Sequence, residues 1–205
     1  MGNASEKKYL TFMQKVGYGV GDLGSNYCWT FVSSFVLIYC TNTLGISAGV
    51  IGVIMMLSKF LDGISDVIMG RIIDKTKSKM GKARFWYAIS AFPVALFTFL
   101  LFNIPGSFSE NTQYIYIFIV YTLMGVVFYT MSNIAYSSMT ALVTKNIKER
   151  VQLGSYRFIF AGIAVILLGT FTSDLVEFFG GGQHGWTIVS LIYAIICFVF
   201  LFIPV

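Results

Sequence analysis

The sequence predicts an all-α membrane protein built as a bundle of six transmembrane helices. Of its 205 residues, 57% are hydrophobic and only 11% are charged, whereas a soluble domain carries roughly 25% charged residues. The apolar residues also fall into six stretches, each close to the roughly 20 residues that a helix needs to cross a bilayer. So few charges cannot cover a water-facing surface, and we therefore expect membrane lipid to cover much of the protein.

The six predicted helices follow one another along the whole chain, which we treat as one six-helix domain. The first and fourth stretches are long and are interrupted by Gly, Ser and Asn, which predicts a tilt or an irregular turn in each. Pro93 removes a backbone donor from the third helix and predicts a kink there. The predicted helices cover residues 16–40, 47–73, 84–104, 112–142, 153–178 and 186–203.

Basic residues are concentrated in alternate connections between the predicted helices. Twelve of the 14 Lys and Arg residues lie in the N-terminal tail, in the connection after helix two and in that after helix four. This alternation follows the positive-inside rule. We therefore expect a multi-pass protein of the cell (plasma) membrane with both ends of this chain in the cytoplasm. Nucleic-acid binding is not expected, because it needs a basic stripe or a stacking platform on a folded face.

Helix two carries three charged residues within its apolar stretch. Lys59, Asp62 and Asp66 are spaced i, i+3, i+7 and share one helix face at about 100° per residue. A charge near the centre of a membrane helix costs roughly 2.5–3.5 kcal/mol, so these residues need partners. Lys59 can neutralise one acid, and the other needs a proton or a bound cation, for which carboxylate and hydroxyl oxygens are suitable ligands. The alternative is a salt-bridge network that only holds helices together.

The sequence lacks the patterns of an enzyme or a zinc site. A membrane-embedded enzyme needs a nucleophile with a base, or a metal motif such as H-E-x-x-H, and the single histidine, His184, falls in a Gly-rich connection. Cys28, Cys40 and Cys197 lie in apolar stretches with spacings typical of neither zinc ligands nor a disulfide framework. We therefore expect no enzyme activity, and we interpret the cysteines as buried small hydrophobic residues.

Three motifs resemble one family of transporters. Residues 62–82 read DGISDVIMGRIIDKTKSKMGK, residues 17–26 read GYGVGDLGSN, and residues 148–157 read KERVQLGSYR. They resemble the glycoside–pentoside–hexuronide:cation symporters, which include the melibiose permeases. That family has a D-x-x-x-D pair on its second helix, followed by a basic loop that ends in W-G-K/R. The resemblance covers nearly the whole chain in order.

The resemblance implies a secondary active transporter with a major-facilitator fold, of which this chain is the N-terminal half. In such a fold two six-helix halves alternate access to a site between them, near the midplane. The implied substrate is a sugar or glycoside, co-transported with Na⁺, Li⁺ or H⁺, with no further cofactor. The C-terminal half is then the implied partner, together with membrane lipid.

The resemblance also assigns a cation site. Asp62 and Asp66 match the cation carboxylates, with Na⁺ as a possible ligand, and Thr130 matches a hydroxyl ligand. Ser65 stands where melibiose permeases have an asparagine amide, so the identity of the cation stays open. The basic loop that contains Asp74 has two compatible interpretations: a solvated segment that sets the topology, and a gate in which Asp74 and neighbouring basic residues pair across the halves.

The implied sugar site departs from that of the melibiose permeases. Asn26 and Asn133 stand where galactoside-binding members have carboxylates, Arg157 matches their arginine, and Ser137 replaces an aromatic residue that stacks on the sugar. Asp22, one turn before Asn26, could neutralise Arg157; an acid in the other half is the alternative. We hypothesise that melibiose-type galactosides are not favoured, that an unbalanced Arg157 would tolerate an acidic sugar such as a hexuronide, and that neutral xylosides or glucosides are equally acceptable.

A competition panel of sugars tests this hypothesis. Strong melibiose binding without any binding of a uronide would contradict it. Asn side chains can donate to and accept from sugar hydroxyls but cannot neutralise a guanidinium, which is why the panel includes neutral and acidic sugars.

Two other functions stay open at this stage. One is a membrane channel, which would give flux without saturable exchange. The other is a half-transporter that needs a partner chain, with the acids serving as a structural ion-pair network. The apolar stretch at residues 201–205 leads us to expect a truncated or split transporter that does not transport alone. Sugar uptake by vesicles that contain only this chain would contradict that expectation.

Overall fold

The structure, a computed structural model, describes residues 9–203, and its regular elements there are helices. Six helices follow one another, and we number them in chain order. They are α1 (Phe12–Ile38), α2 (Ala48–Lys75), α3 (Lys82–Leu101), α4 (Glu110–Val143), α5 (Ile147–Phe178) and α6 (Gly182–Phe202).

Two of these helices contain π-helical segments. Tyr39–Thr43 extends α1, and Leu123–Tyr129 lies inside α4. These are the two helices for which the sequence predicts an irregular turn. Helix α3, by contrast, continues through Pro93 as one element. A π-helical segment adds a residue to the local turn and often marks a functional position.

Polar caps set the helix starts. Thr11 and Gln14 form a capping box before α1, with main-chain to side-chain distances of 3.3 and 2.9 Å, and Asn146 accepts from the first amides of α5 at 2.9 and 3.3 Å. Such side chains satisfy the otherwise unpaired N–H groups of the first turn. Helices α1 and α5 therefore begin at residues 12 and 147. These starts are earlier than residues 16 and 153, which the apolar stretches predict as the first helical residues.

Helix α1 lies at the centre of the packing. It lies along α5 and α6, while α3 packs between α4 and α6, and α2 packs mainly against α4. An aromatic cluster joins α1, α3 and α6, with Phe31 stacked on Phe102 at 4.2 Å between ring centroids and Phe102 stacked on Trp186 at 5.5 Å. Aromatic pairs of this kind add to the stabilisation from apolar burial.

The three basic connections lie at the same end of the bundle, which we call the basic end. The backbone N–H of Tyr9 lies 3.1 Å from the Glu149 carboxylate of α5, and Leu10, Lys82 and Val143 line one shared cavity there. At the opposite end, the Tyr39 hydroxyl donates to the Gln183 side-chain oxygen at 2.7 Å and accepts from the Ile104 backbone N–H at 3.2 Å. The helices therefore alternate in direction, as the distribution of basic residues predicts.

Five helices, α2 to α6, are long and apolar enough to cross a bilayer among the residues that the structure describes. Helix α1 has 27 residues and a length of about 40 Å, but it is more polar, with Asp22 and Ser25 buried against its neighbours. The all-helical membrane class is therefore supported, with five apolar spans where the sequence predicts six.

Helices α2 and α5 are the least covered by the rest of the bundle. Only 17% and 22% of their most apolar windows are buried, against 39–44% for α3, α4 and α6. Their exposed side chains are large and apolar, including Phe60, Ile64 and Phe158. A contiguous apolar face of this size is normally covered by lipid or by another protein surface.

The interpretation of all three cysteines as unpaired is wrong for two of them. Cys28 of α1 and Cys197 of α6 form a disulfide with Cα atoms 6.1 Å apart, and Cys40 is a buried free thiol. The pairing depends on how closely α1 and α6 approach, which residue spacing along the chain does not reveal.

Close packing of α1 against α6 depends on Gly24. A Cβ atom at this position would lie 2.8 Å from Phe200 Cβ and 3.1 Å from the Leu201 amide nitrogen. We predict that Gly24→Ala lowers the free energy of unfolding by about 1–3 kcal/mol, the usual effect of overpacking. Thermal unfolding in detergent measures the change. The control is Gly52→Ala, where a Cβ meets nothing within 4 Å; equal effects of the two substitutions would contradict the packing argument.

Candidate functional site

Asp62 on α2 uses both carboxylate oxygens. Its Oδ2 atom accepts from the Lys59 ammonium at 3.0 Å, and its Oδ1 atom accepts from the Thr130 hydroxyl of α4 at 2.9 Å. The Ser65 hydroxyl donates to the Asp62 carbonyl at 2.9 Å and lies 3.4 Å from Thr130 Oγ1. Hydrogen bonds to an ionised group are about twice as strong as neutral ones. The structure therefore brings three of the four predicted cation-binding residues together with Lys59.

Asp66, the fourth, lies one turn further along α2. It is half-buried and interacts electrostatically with Asp62, Lys59 and Thr130. We call Lys59, Asp62, Ser65, Asp66 and Thr130 the acidic cluster. When both carboxylates are ionised, one ammonium faces two negative charges, so the cluster has one negative charge in excess.

The π-helical segment of α4 ends next to the acidic cluster. Thr130 follows it directly, and the Thr130 hydroxyl also lies 3.3 Å from the Gly125 carbonyl, five residues earlier. The added residue rotates all later side chains of α4 relative to those before it. Because of this rotation, the sequence of α4 read with a regular helical period does not place Thr130 correctly on the helix.

Thr130 is one of the buried polar residues of the bundle. Together with Ser65 it supplies neutral oxygens beside the two carboxylates. No group of three or more His, Cys, Asp and Glu side chains lies together within residues 9–203. A cation held by this chain would therefore need hydroxyl oxygens as well as carboxylates, which suits a small hard ion.

A second polar cluster joins α1 to α5. The Arg157 guanidinium of α5 contacts Asp22 Oδ1 of α1 through Nε and Nη2, each at 3.1 Å. Asn26 donates to the other carboxylate oxygen at 2.9 Å and to the Asp22 carbonyl at 3.0 Å. Asp22 is only 5% exposed, and we call these three residues the Asp22 cluster. Of the two partners that the sequence allowed for Arg157, the structure contains Asp22.

Aromatic residues cover one side of the Asp22 cluster. The Arg157 guanidinium lies 4.7 Å from the ring centroid of Tyr136, and Tyr136 stacks on Tyr18 at 4.5 Å and on Tyr87 at 5.2 Å. The Tyr87 hydroxyl donates to the Gly21 carbonyl at 3.2 Å. The rings shield one side of the ion pair from solvent, although the Arg157 side chain stays 24% exposed, and a cation above an aromatic face is itself stabilised.

The two remaining predicted sugar-binding residues are not joined to the Asp22 cluster. Asn133 is half-buried and Ser137 is exposed on α4. Within the part of the chain that the structure describes, neither side chain makes a hydrogen bond to Asp22, Asn26 or Arg157. The structure thus joins two of the four predicted sugar-binding residues.

Asp74, the predicted gating residue, lies at the basic end. Its carboxylate accepts from the Lys82 ammonium at 2.7 Å, and its side chain is 75% exposed. The pair bridges the ends of α2 and α3 within this chain. Exposed pairs of this kind contribute little to stability.

Sequence reasoning missed Glu149, which lies in the first turn of α5 among basic residues. Glu149 is only 2% exposed. Its carboxylate accepts from the backbone amides of Tyr9 and Leu10 at 3.1 Å and from the Thr144 hydroxyl at 2.6 Å, and Lys15 lies 3.7 Å away. An acid among basic loop residues normally indicates a solvated surface, so the sequence carried no signal for this burial.

Five apolar spans, two ion-pair clusters within the bundle and basic connections at one end together are typical of polytopic membrane proteins. The chain belongs to the family of MFS/sugar transport proteins, whose sequence profile matches residues 17–205. The resemblance to glycoside–pentoside–hexuronide:cation symporters is confirmed by the relatives of this chain.

Three relatives illustrate the similarity. The isoprimeverose transporter of Lactiplantibacillus pentosus is 30% identical over 202 residues, covering 96% of this chain and 42% of the relative. The inner membrane symporter YicJ of Escherichia coli (strain K12) is 32% identical, covering 91% of this chain and 42% of the relative. The putative glycoside/cation symporter YagG of the same organism is 31% identical, covering 85% and 38%. The chain thus spans about two fifths of the length of these relatives.

The Asp22–Arg157 pair gives a stability prediction. We expect Asp22→Asn to lower the free energy of unfolding by about 1–3 kcal/mol, because it leaves a largely buried guanidinium without its counter-charge. Unfolding in detergent measures the loss, and Arg157→Gln added to Asp22→Asn should recover part of it. The control is Asp74→Asn, which breaks an exposed ion pair and should have little effect. A loss from Asp22→Asn no larger than that from Asp74→Asn would contradict the assignment.

Proposed function

We propose that this protein takes part in cation-coupled symport of a glycoside, pentoside or hexuronide by alternating access. The observation that carries the proposal is the acidic cluster: two carboxylates, one ammonium and two hydroxyls on facing helices of a sugar-transporter bundle. A group of charges in an apolar helix bundle is rare and is by default a functional site. Saturable, ion-coupled transport needs such a binding site. The family to which the chain belongs is one of transporters, not of enzymes.

The charge of the acidic cluster matches a monovalent cation. Lys59 offsets one carboxylate, and the excess negative charge is available to Na⁺, Li⁺ or H⁺. Asp62, Asp66, Ser65 and Thr130 would supply the oxygens for a metal ion, and the carboxylate pair alone would suffice for a proton. All of these residues lie in this chain, so cation binding can be measured on it directly.

The Asp22 cluster is the proposed sugar side of the site. Asn26 and Arg157 would donate to sugar hydroxyls, and Asn133 and Ser137 on α4 would complete the site once substrate is present. Because Asp22 neutralises Arg157, an unbalanced guanidinium is no longer a reason for this site to tolerate acidic sugars. Relatives include an isoprimeverose transporter and a glucuronide carrier homolog. We therefore propose only a class of substrate, the glycosides, pentosides and hexuronides.

We propose that all six helices cross the plasma membrane, with the basic end in the cytoplasm. Helix α1 would be the sixth crossing, because its ends coincide with those of α3 and α6 and its polar residues Asp22 and Ser25 are buried against protein. In this arrangement the basic connections follow the positive-inside rule. The chain then begins and ends on the cytoplasmic side.

We further propose a second helical half as the partner of this chain. The curated relatives are more than twice as long, and the weakly covered apolar faces of α2 and α5 offer the surface for such a half, with lipid on the rest. Asp74 and Lys82, paired here within the chain, lie at the end where a gate between halves would close. The sugar would bind between the halves, near the midplane.

The cation site gives a binding prediction. We expect Asp62→Asn and Asp66→Asn each to weaken cation binding by at least about tenfold, which corresponds to roughly 1.4 kcal/mol, since each removes a charged ligand. Calorimetric titration of the chain in lipid nanodiscs with NaCl or LiCl, and proton uptake followed by a pH dye, measure the affinity.

Asp174→Asn is the matched control, because it removes an exposed acid of α5 outside the cluster and should leave the affinity unchanged. If the parent chain shows no saturable binding of any of the three cations, the proposed symport is contradicted. The acidic cluster is then a structural ion-pair network, for which the Lys59–Asp62 bond would be sufficient explanation.

A further inference from the structure

Trp29 on α1 lies between the two polar clusters. Its ring stacks on Tyr129 of α4, with ring centroids 4.7 Å apart and planes inclined by 24°. Gly125, one turn earlier in the π-helical segment, has no side chain, and a Cβ there would lie 3.4 Å from the indole. The π-helical segment of α4 thus forms a contact surface that fixes the orientation of the indole ring.

The free face of this indole holds the Lys59 ammonium. Lys59 Nζ lies 4.1 Å from the ring centroid, well inside the roughly 6 Å range of a cation–π contact. The same nitrogen is 3.0 Å from Asp62 Oδ2. The Lys59 side chain is 52% exposed, so without the ring a long, flexible side chain could extend away from the acid. The Trp29 ring on α1 and the Asp62 carboxylate on α2 therefore hold the Lys59 ammonium between them.

We propose that Trp29 is a positioning residue that holds Lys59 on Asp62, so that Lys59 acts as an internal counter-ion that the coupling cation must displace. The inference rests on the proposed cation site. Lys59 and an incoming Na⁺, Li⁺ or H⁺ compete for the same carboxylate oxygen. Any change that weakens the contact between Trp29 and Lys59 therefore favours binding of the cation to Asp62.

The position of Trp29 also connects the cation side with the sugar side. Trp29 is three residues after Asn26 on α1, so the two side chains share one helix face. Asn26 in turn is bonded to Asp22. A substrate that moves α1 or covers the indole would release Lys59, and the acidic pair would then take up a cation. Trp29 is in this way the physical link by which one ligand affects the binding of the other.

Acetylation of Lys59 tests the inference directly. The full chain in lipid nanodiscs is treated with an amine-specific acetylating reagent, and mass spectrometry gives the modification of Lys59 relative to the exposed loop residues Lys77 and Lys79. The reagent attacks the neutral amine, so a Lys59 ammonium that is held by Asp62 and lies against the indole reacts more slowly than a free lysine. We expect Trp29→Leu to raise the relative modification about 2- to 5-fold, as expected for the loss of a partly exposed cation–π contact.

Two further variants and one control complete the test. Trp29→Met is a second ringless variant and should behave as Trp29→Leu, whereas Trp29→Phe keeps an aromatic face and should stay near the parent. Trp86→Leu, at the basic end where Trp86 donates to Thr76 at 2.7 Å, should leave Lys59 unchanged. In the parent, addition of NaCl or LiCl in place of choline chloride, or a lower pH, should raise the relative modification of Lys59.

Two outcomes would overturn the inference in distinguishable ways. If neither ringless variant changes the modification of Lys59, Trp29 does not position it, and the proposed function stands unaffected. If the ringless variants expose Lys59 but no cation does so in the parent, then no cation competes at Asp62, and the proposed cation site fails together with the inference.

Discussion

An apolar helix bundle retains a charged side chain only where another group compensates its charge. Among the residues that the structure describes, three acids inside this bundle are compensated by other residues: Asp62 by Lys59 and Thr130, Asp22 by Arg157 and Asn26, and Glu149 by main-chain amides and Lys15. Asp66 carries the excess negative charge of the acidic cluster. The bonds of Asp62 to Thr130, of Asp22 to Arg157 and of Glu149 to the segment before α1 join parts of the chain that are distant in sequence. They therefore decide which helices can be neighbours and in what register, and the apolar packing fills the space that they leave.

The π-helical segment of α4 shows how backbone and side chains cooperate in this arrangement. Gly125 and Tyr129 seat Trp29, and Thr130 directly after them bonds to Asp62. Gly125 and Tyr129 are four residues apart and lie on the same side of the helix, whereas Thr130, the next residue, is turned by roughly 100°. A single helix thus contacts α1 on one side and α2 on the other.

Much of the fold follows from the sequence because membrane helices are specified locally. Length, apolarity and loop charge identify the six helices, and the free-energy cost of a buried charge identifies Asp62 and Asp66. Features that depend on two distant residues do not follow. The Cys28–Cys197 disulfide, the choice of Asp22 as partner of Arg157 and the burial of Glu149 arise only once α1 has packed against α5 and α6. The role of Trp29 does not follow from the sequence for a different reason. A tryptophan in an apolar stretch normally belongs to the core or to the lipid-facing surface.

The buried Glu149 carboxylate binds the segment before α1 through the backbone N–H groups of Tyr9 and Leu10. Such recognition is indifferent to side-chain identity, so nearly any amino acid is tolerated at these two positions, with proline as the exception because it lacks the amide donor. Length, however, is fixed: an inserted or deleted residue between Leu10 and the Thr11 cap would separate the two amides from the helix start they now share. Evolution of this segment should accordingly be free in composition and strict in spacing.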